Sequence, residues 1–163
     1  MNAQPSNEQR GVIHVPGVLA RWLLGSLFIY LGLSKALHPV EFLKLLRQYD
    51  LLHTPWLLDS AAALLPWFEV FCGGLLLAGV VVRGSALTVL AMLVPFTSAI
   101  FHRALALHST LAIPFCMVKF DCGCGSGEVF ACRKLLENLI LMALAGWLLA
   151  GQGRSLCVRY RLR

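Results

Sequence analysis

The chain has 163 residues, of which 58% are hydrophobic and only 13% charged, and its formal net charge is +6. So few polar side chains cannot cover a soluble globule, which predicts one small integral membrane domain over residues 1–163. No nucleic-acid-binding motif accompanies the positive charge. We therefore expect the basic residues to orient the chain in a lipid bilayer rather than to bind nucleic acid.

The first apolar segment, residues 17–37, follows a polar tail and predicts a membrane span. Arg21 and Lys35 lie near its two ends, where long side chains reach the membrane interface. Gly25 and Gly32 within it would allow another helix to approach closely. The segment is therefore expected to pack on a neighbouring span.

A short amphipathic helix is predicted after Pro39, a residue well suited to the first helical position. Its sequence, VEFLKLLRQYDLL, is too short to span. Its apolar face consists of Phe42, Leu45, Leu46, Tyr49 and Leu52. It is expected to lie along the membrane surface between spans one and two.

Spans two and three are predicted at residues 61–82 and 85–103. Span two contains Glu69, and an ionisable residue inside a span normally faces the bundle interior. The predicted turn at Arg83-Gly84 is so short that the two spans must be antiparallel neighbours.

Residues 104–118 fit three interpretations: an extension of span three, a re-entrant segment or a fifth span. Span four is predicted at residues 133–151, with Ser126 as the N-cap and Glu128 in the first turn. The expected fold is an all-α membrane four-helix bundle with the interfacial helix between its first two spans.

The segment between spans three and four, residues 116–132, carries four of the six cysteines. Cys122 and Cys124 are separated by one glycine, and a disulfide closing so small a ring would be strained and easily reduced. Cys132 adds a third thiol beside Arg133 and Lys134, where positive charge favours the attacking thiolate. These three cysteines are the candidate catalytic residues for thiol–disulfide exchange.

Polar groups in all four spans are expected on the same side of the membrane as these cysteines. Lys35 and Glu69 are predicted to form an ion pair in the bundle interior. Glu69, His102 and Asn138 are the candidate residues for binding a quinone headgroup or handling protons. An equally open interpretation is that these groups only hold the bundle together.

The orientation rests on the distribution of basic residues. Four spans divide the fourteen lysines and arginines equally, seven on each side, so their number alone decides nothing. The tail carries an arginine cluster without nearby acids, at positions 154, 159, 161 and 163, and such a cluster is typical of the cytoplasmic side. Cysteine pairs turn over outside the reducing cytosol. We therefore expect a bacterial inner membrane protein with both termini in the cytoplasm and residues 116–132 in the periplasm.

Three stretches of sequence resemble the MauE/DoxX family of four-helix membrane proteins. They are RWLLGSLFIYLGLSK at residues 21–35, PWFEVFCGGLLLAG at residues 66–79, and DCGCG at residues 121–125 with Arg133 and Asn138 after it. The last stretch is similar to the MauE branch. That resemblance implies a role in maturing methylamine dehydrogenase, beside a periplasmic thioredoxin-like partner, with Cys122 and Cys124 as the redox pair.

Three other functions stay open. Cys116, Cys122, Cys124 and Cys132, with His102 or His108, could form a metal or cluster site, although C-x5-C-x-C-x7-C lacks the usual C-x2-C spacing. The chain could be a scaffold or assembly factor whose C-G-C disulfide is passive. It could also be a subunit of a quinone-linked sulfur oxidoreductase, by analogy of fold.

Overall fold

The structure is a computed structural model that describes residues 15–48, 54–121 and 128–152. Within these ranges the chain forms α-helices and one small antiparallel hairpin. The elements in chain order are α1 (Val15–Leu37), α2 (Pro39–Gln48), α3 (Pro55–Ala78), α4 (Val82–Leu111), a 3-10 turn (Phe115–Met117), β1 (Lys119–Asp121), β2 (Glu128–Phe130) and α5 (Ala131–Trp147), which is continued by a π-helical turn (Leu148–Gln152).

Four of the helices are long and apolar enough to cross a membrane: α1, α3, α4 and the continuous segment of α5 with its π-helical turn. The predicted all-α membrane bundle is therefore confirmed. Its second span, α3, begins at Pro55 rather than near residue 61 and ends at Ala78. Pro55 at the first helical position accounts for the earlier start.

The helices α1 and α3 approach each other most closely at glycines. A Cβ atom on Gly73 would lie 2.6 Å from the Gly25 carbonyl oxygen, and one on Gly32 would lie 2.6 Å from the Pro66 carbonyl oxygen. Both distances are far below van der Waals contact, so any side chain at these positions would push the helices apart. The glycines therefore permit the backbone contact that brings residues 35 and 69 within reach.

The turn between α3 and α4 is as short as predicted but lies four residues earlier than Arg83-Gly84. Gly79 adopts the left-handed conformation, with φ of 69°, and ends α3. The Val80 N–H then donates to the Leu75 carbonyl at 3.0 Å, which satisfies an otherwise unpaired carbonyl of the last turn. Arg83 and Gly84 consequently lie in the first turn of α4.

The amphipathic helix α2 packs on the beginning of α3 through its apolar face. Phe42 and Leu46 are buried against Leu58 and Ala62. The helix is thus held to the bundle, between the first two spans, as the sequence pattern indicated. Tyr49 and Leu52 of the predicted apolar face lie outside the described residues.

Residues 104–111 extend α4. For these residues the structure therefore agrees with the first of the three interpretations, an extension of span three. The helix has 30 residues, which corresponds to about 45 Å, against a hydrocarbon core of about 30 Å. The helix is therefore longer than the hydrocarbon core is thick. The segment after it packs on its C-terminal half, where Val118 and Phe120 are buried against Ile100 and Ala104.

The last span, α5, begins at Ala131, two residues before the predicted start, but its predicted first turn is wrong. Glu128 lies in β2 and not in the first turn of α5, whose N-cap is Phe130. The reason is strand pairing, since Phe120 pairs with Val129 and the Ala131 N–H donates to the Val118 carbonyl at 3.0 Å. Ser126, the predicted N-cap, lies outside the described residues.

Candidate functional site

A disulfide joins the two outer cysteines of the segment 116–132. Cys116 lies in the 3-10 turn before β1, Cys132 is the second residue of α5, and their Cα atoms are 4.9 Å apart. The basic residues beside Cys132 predict a free attacking thiol, whereas in the structure its sulfur is bonded to Cys116. The disulfide fixes the chain before the hairpin to the start of the last span.

In the sequence, the two inner cysteines lie between the two paired strands of the hairpin. Asp121, the last residue of β1, is the register partner of Glu128, the first residue of β2. Cys122 and Cys124 belong to the six residues that connect them, 122–127, which lie outside the described residues. The two residues that flank this segment are therefore paired with each other, and the Cys116–Cys132 disulfide joins the chain outside them.

The predicted ion pair between Lys35 and Glu69 is confirmed. The Lys35 Nζ atom lies 2.5 Å from Glu69 Oε1 and 2.7 Å from Oε2, and both side chains are buried. The ammonium also lies 5.6 Å from the Phe42 ring centroid and 5.5 Å from that of Phe96, within the range of a cation–π interaction. One charged group thus contacts α2, α3 and α4 from its place on α1.

Asn138 lies close to this pair on α5. It is 2% exposed, and its Nδ2 donates to Thr97 Oγ1 on α4 at 3.1 Å. Asn138 and Glu69 line the same small cavity, together with Lys35 and Lys134. Two of the three residues predicted to bind a cofactor are therefore brought together.

The third predicted residue, His102, lies elsewhere. Its side chain is exposed on α4, nine residues before the helix ends at Leu111, and it is not among the residues that line the Glu69–Asn138 cavity. The sequence placed His102 at the end of a shorter span. Because α4 continues for two more turns, that end lies further along the chain.

The cavity at Glu69 and Asn138 is small. Its volume is about 30 Å³, which admits a water molecule but falls far below the ~300–1,000 Å³ of a typical small-molecule site. It can hold water beside the ion pair. It cannot hold a quinone ring without rearrangement of the bundle.

Lys134 is a further candidate for binding a cofactor, and it lies beside Glu137, one of the polar groups that the sequence places in the last span. Lys134 is buried near the start of α5, and its Nζ lies 3.5 Å from Glu137 Oε2, while Arg133 Nε donates to Glu137 Oε1 at 3.0 Å. Lys134 lines the inner cavity and also two larger cavities between α1 and α5. The i,i+3 and i,i+4 spacing of these basic residues from Glu137 was the signal available in the sequence.

The two larger cavities form a continuous groove, which we call the α1–α5 groove. Each has a volume of about 380 Å³, and they share Tyr30, Leu31, Lys134 and Glu137 as walls. One extends toward Glu128 and Phe130 of the hairpin. The other runs along the membrane-spanning part of the helices and is lined there by Leu23, Leu27, Ile140, Leu141 and Leu144.

Within residues 15–48, 54–121 and 128–152, no three His, Cys, Asp or Glu side chains gather as a metal-ligand set. The metal alternative also used Cys122 and Cys124, which lie outside those ranges. Its two remaining cysteines, Cys116 and Cys132, are joined to each other.

The fold and the site define a class: a multi-pass membrane protein with a buried ion pair between its spans and a disulfide-anchored hairpin at one end of the bundle. Comparison with known families agrees with this class. The family model described as "Methylamine utilisation protein MauE" matches residues 13–151. The chain therefore belongs to the MauE family. No curated protein and no solved structure matched the chain.

Proposed function

We propose that this chain is a membrane thiol–disulfide redox protein that acts in methylamine utilisation. Its Cys122–Cys124 pair exchanges electrons with a periplasmic thioredoxin-like protein or with a disulfide-containing client, during maturation of an enzyme such as methylamine dehydrogenase. Membership of the MauE family supports the pathway. The observation that carries the chemistry is that the residues flanking the C-G-C segment, Asp121 and Glu128, are paired strand ends, and that the Cys116–Cys132 disulfide joins the chain outside them.

The exchange transfers two electrons from the partner's dithiol to the Cys122–Cys124 disulfide in two steps. A thiolate of the partner attacks one sulfur of the Cys122–Cys124 disulfide and forms a mixed disulfide, which releases the other cysteine as a thiolate. The second partner thiolate then breaks the mixed disulfide. The partner has become a disulfide and two electrons have been transferred. The C-G-C thiolates take up the two protons that the partner thiols lost and become a dithiol; the same steps in reverse reduce a client disulfide.

A quinone in the bilayer is the proposed second redox partner of the C-G-C pair. Oxidation of the dithiol releases two electrons and two protons, and reduction of a quinone to a quinol takes up the same number. The pair can then return to the disulfide without a soluble cofactor. This exchange requires the hairpin to face the periplasm of a bacterial inner membrane, with both termini in the cytoplasm.

Trapping of the mixed disulfide tests the proposal. In cells that mature methylamine dehydrogenase, Cys124→Ser leaves Cys122 without its internal partner, so an adduct with a thioredoxin-like protein or a client should accumulate and disappear on reduction. Cys72→Ser is the matched control, because Cys72 is buried within α3. Mass spectrometry of the adduct identifies the partner.

A non-catalytic scaffold is the second candidate function, and the Cys116–Cys132 disulfide favours it because a disulfide that ties a hairpin to a helix is also a structural staple. The two candidates differ in the role of the inner cysteines. If neither Cys122→Ser nor Cys124→Ser traps an adduct, and both support enzyme maturation at the wild-type rate, the redox proposal is wrong and the scaffold stands.

A further inference from the structure

We propose that the α1–α5 groove is the binding site for a lipid-soluble molecule with an uncharged, oxygen-bearing ring and an apolar tail, the chemistry of a membrane quinone. The inference takes up the quinone partner of the proposed function and assigns it a place different from the Glu69, His102 and Asn138 set. Size is the first reason. The cavity at Glu69 and Asn138 has about 30 Å³, whereas each part of the groove has about 380 Å³.

The polar end of the groove suits an uncharged ring. Its ionic groups are two basic residues, Arg133 and Lys134, and two acidic residues, Glu128 and Glu137. Glu137 is already paired with both basic residues. No excess positive charge is left to select a phosphate headgroup. This end can instead form hydrogen bonds with an uncharged ring. The Tyr30 hydroxyl and the Lys134 ammonium can each donate to a ring oxygen.

The other end of the groove suits an apolar tail. Leu23 and Leu27 on α1 face Ile140 and Leu144 on α5 across it. From Lys134 to Leu144 the helix rises about 15 Å, which accommodates a tail of roughly ten carbon atoms. This part lies within two candidate membrane spans, so a molecule dissolved in the bilayer can enter it from the side.

The groove also connects the membrane to the hairpin. Glu128 and Phe130 line its polar end, and both belong to β2, which directly follows residues 122–127 in the sequence. A ring bound between Tyr30 and Lys134 would therefore lie on the hairpin side of the bundle, while its tail stays among the leucines.

Photolabelling of the full chain in phosphatidylcholine nanodiscs tests the assignment. The probe is a photoreactive benzoquinone with a decyl tail, and the labelled peptides are identified by mass spectrometry. We expect labelling to concentrate in residues 23–31 and 134–144 and to be displaced by excess decylubiquinone. Leu27→Trp, which fills the groove, should reduce labelling at least tenfold. Leu19→Trp, at an exposed position on the same helix outside the groove, should leave it unchanged.

The polar end and the nature of the ligand are tested separately. Tyr30→Phe should weaken probe binding about fivefold, the effect of losing one hydrogen bond between neutral groups. Monoolein, an uncharged lipid with an acyl tail, should not displace the probe at the concentration at which decylubiquinone does. Equal displacement by both would show a general lipid groove and overturn the proposal, as would labelling spread evenly over the exposed helix faces. Because binding is measured without thiol chemistry, failure here leaves the trapping of a partner at Cys122 unaffected.

Discussion

The Lys35 ammonium lies between the two carboxylate oxygens of Glu69, at 2.5 and 2.7 Å, and joins the first span of the bundle to the second. Both charges are removed from water, so neither is stable there without the other. Close packing of α1 on α3 at Gly25, Gly32 and Gly73 is what makes this distance possible. The ion pair and the glycines are therefore one structural unit, and each can be tested by itself.

Removal of one charge of the Lys35–Glu69 pair should lower the free energy of unfolding more than removal of both. Glu69→Gln leaves the Lys35 ammonium buried and uncompensated, which we expect to lower the free energy of unfolding by about 3–5 kcal/mol. Replacement of both residues, by Lys35→Met with Glu69→Leu, should restore most of that loss. Unfolding in mixed micelles with increasing dodecyl sulfate measures both. Wild-type stability and activity of Glu69→Gln would show that the ion pair has no such role.

The helix contact at the glycines predicts a contrast between adjacent positions. Gly73→Ala places a methyl group 2.6 Å from the Gly25 carbonyl oxygen, a backbone atom that cannot move aside, and should cost about 1–3 kcal/mol. Gly74→Ala is the matched control, since no atom of a neighbouring helix lies within 4 Å of the added methyl group. Alanine should there be neutral or stabilising by up to about 1 kcal/mol. Equal stabilities of the two variants would contradict the close approach of α1 and α3.

The hydrogen bond between Asn138 and Thr97 links α5 to α4 in the bundle interior. A double-mutant cycle of Asn138→Ala and Thr97→Val should give a coupling energy of about 0.6 kcal/mol, the average for polar pairs between membrane helices. A coupling energy of zero in the same unfolding assay would mean that the two side chains do not bond in the membrane. In that case Asn138 would be available to a ligand in the cavity it shares with Glu69.

The disulfide between Cys116 and Cys132 predicts a specific linked peptide. An unreduced digest of the protein should contain these two cysteines in one cross-linked product. Cys116→Ser should lower the free energy of unfolding by about 3 kcal/mol, as expected for a loop of this length, and Cys72→Ser should not. Finding Cys132 linked to Cys122 or Cys124 instead would show that the outer cysteine takes part in exchange.

The sequence predicts a feature of the fold correctly where its composition or its charges allow only one arrangement of the helices. Four spans follow from hydropathy, and the pairing of Lys35 with Glu69 follows because an isolated charge in a span is costly. The disulfide of Cys116 with Cys132 did not follow, because four cysteines allow three pairings and the choice depends on the register of a hairpin whose strands have only three residues each.

Two residues, His102 and Lys134, lie where the sequence did not predict them, because packing of the helices decides which side chains are buried. The sequence predicts His102 at the site because it lies at the end of the expected span, but α4 continues to Leu111 and ends where Ala112 adopts the left-handed conformation, with φ of 51°. The face of α4 that packs inward carries Ile100 and Ala104, which are buried with Val118 and Phe120, whereas His102 is exposed. Lys134 carries no such signal in the sequence, because basic residues usually face solvent, whereas this side chain is only 7% exposed.

The redox state of Cys122 and Cys124 in intact cells, read with a membrane-impermeant maleimide, distinguishes an exchanging pair from a passive disulfide. A pulse of reductant should expose both thiols to the maleimide. After the reductant is removed the pair returns to the disulfide, while Cys157 in the tail stays unlabelled until the cells are lysed. A pair that remains oxidised throughout, or that is labelled only after lysis, would contradict a periplasmic exchanging pair.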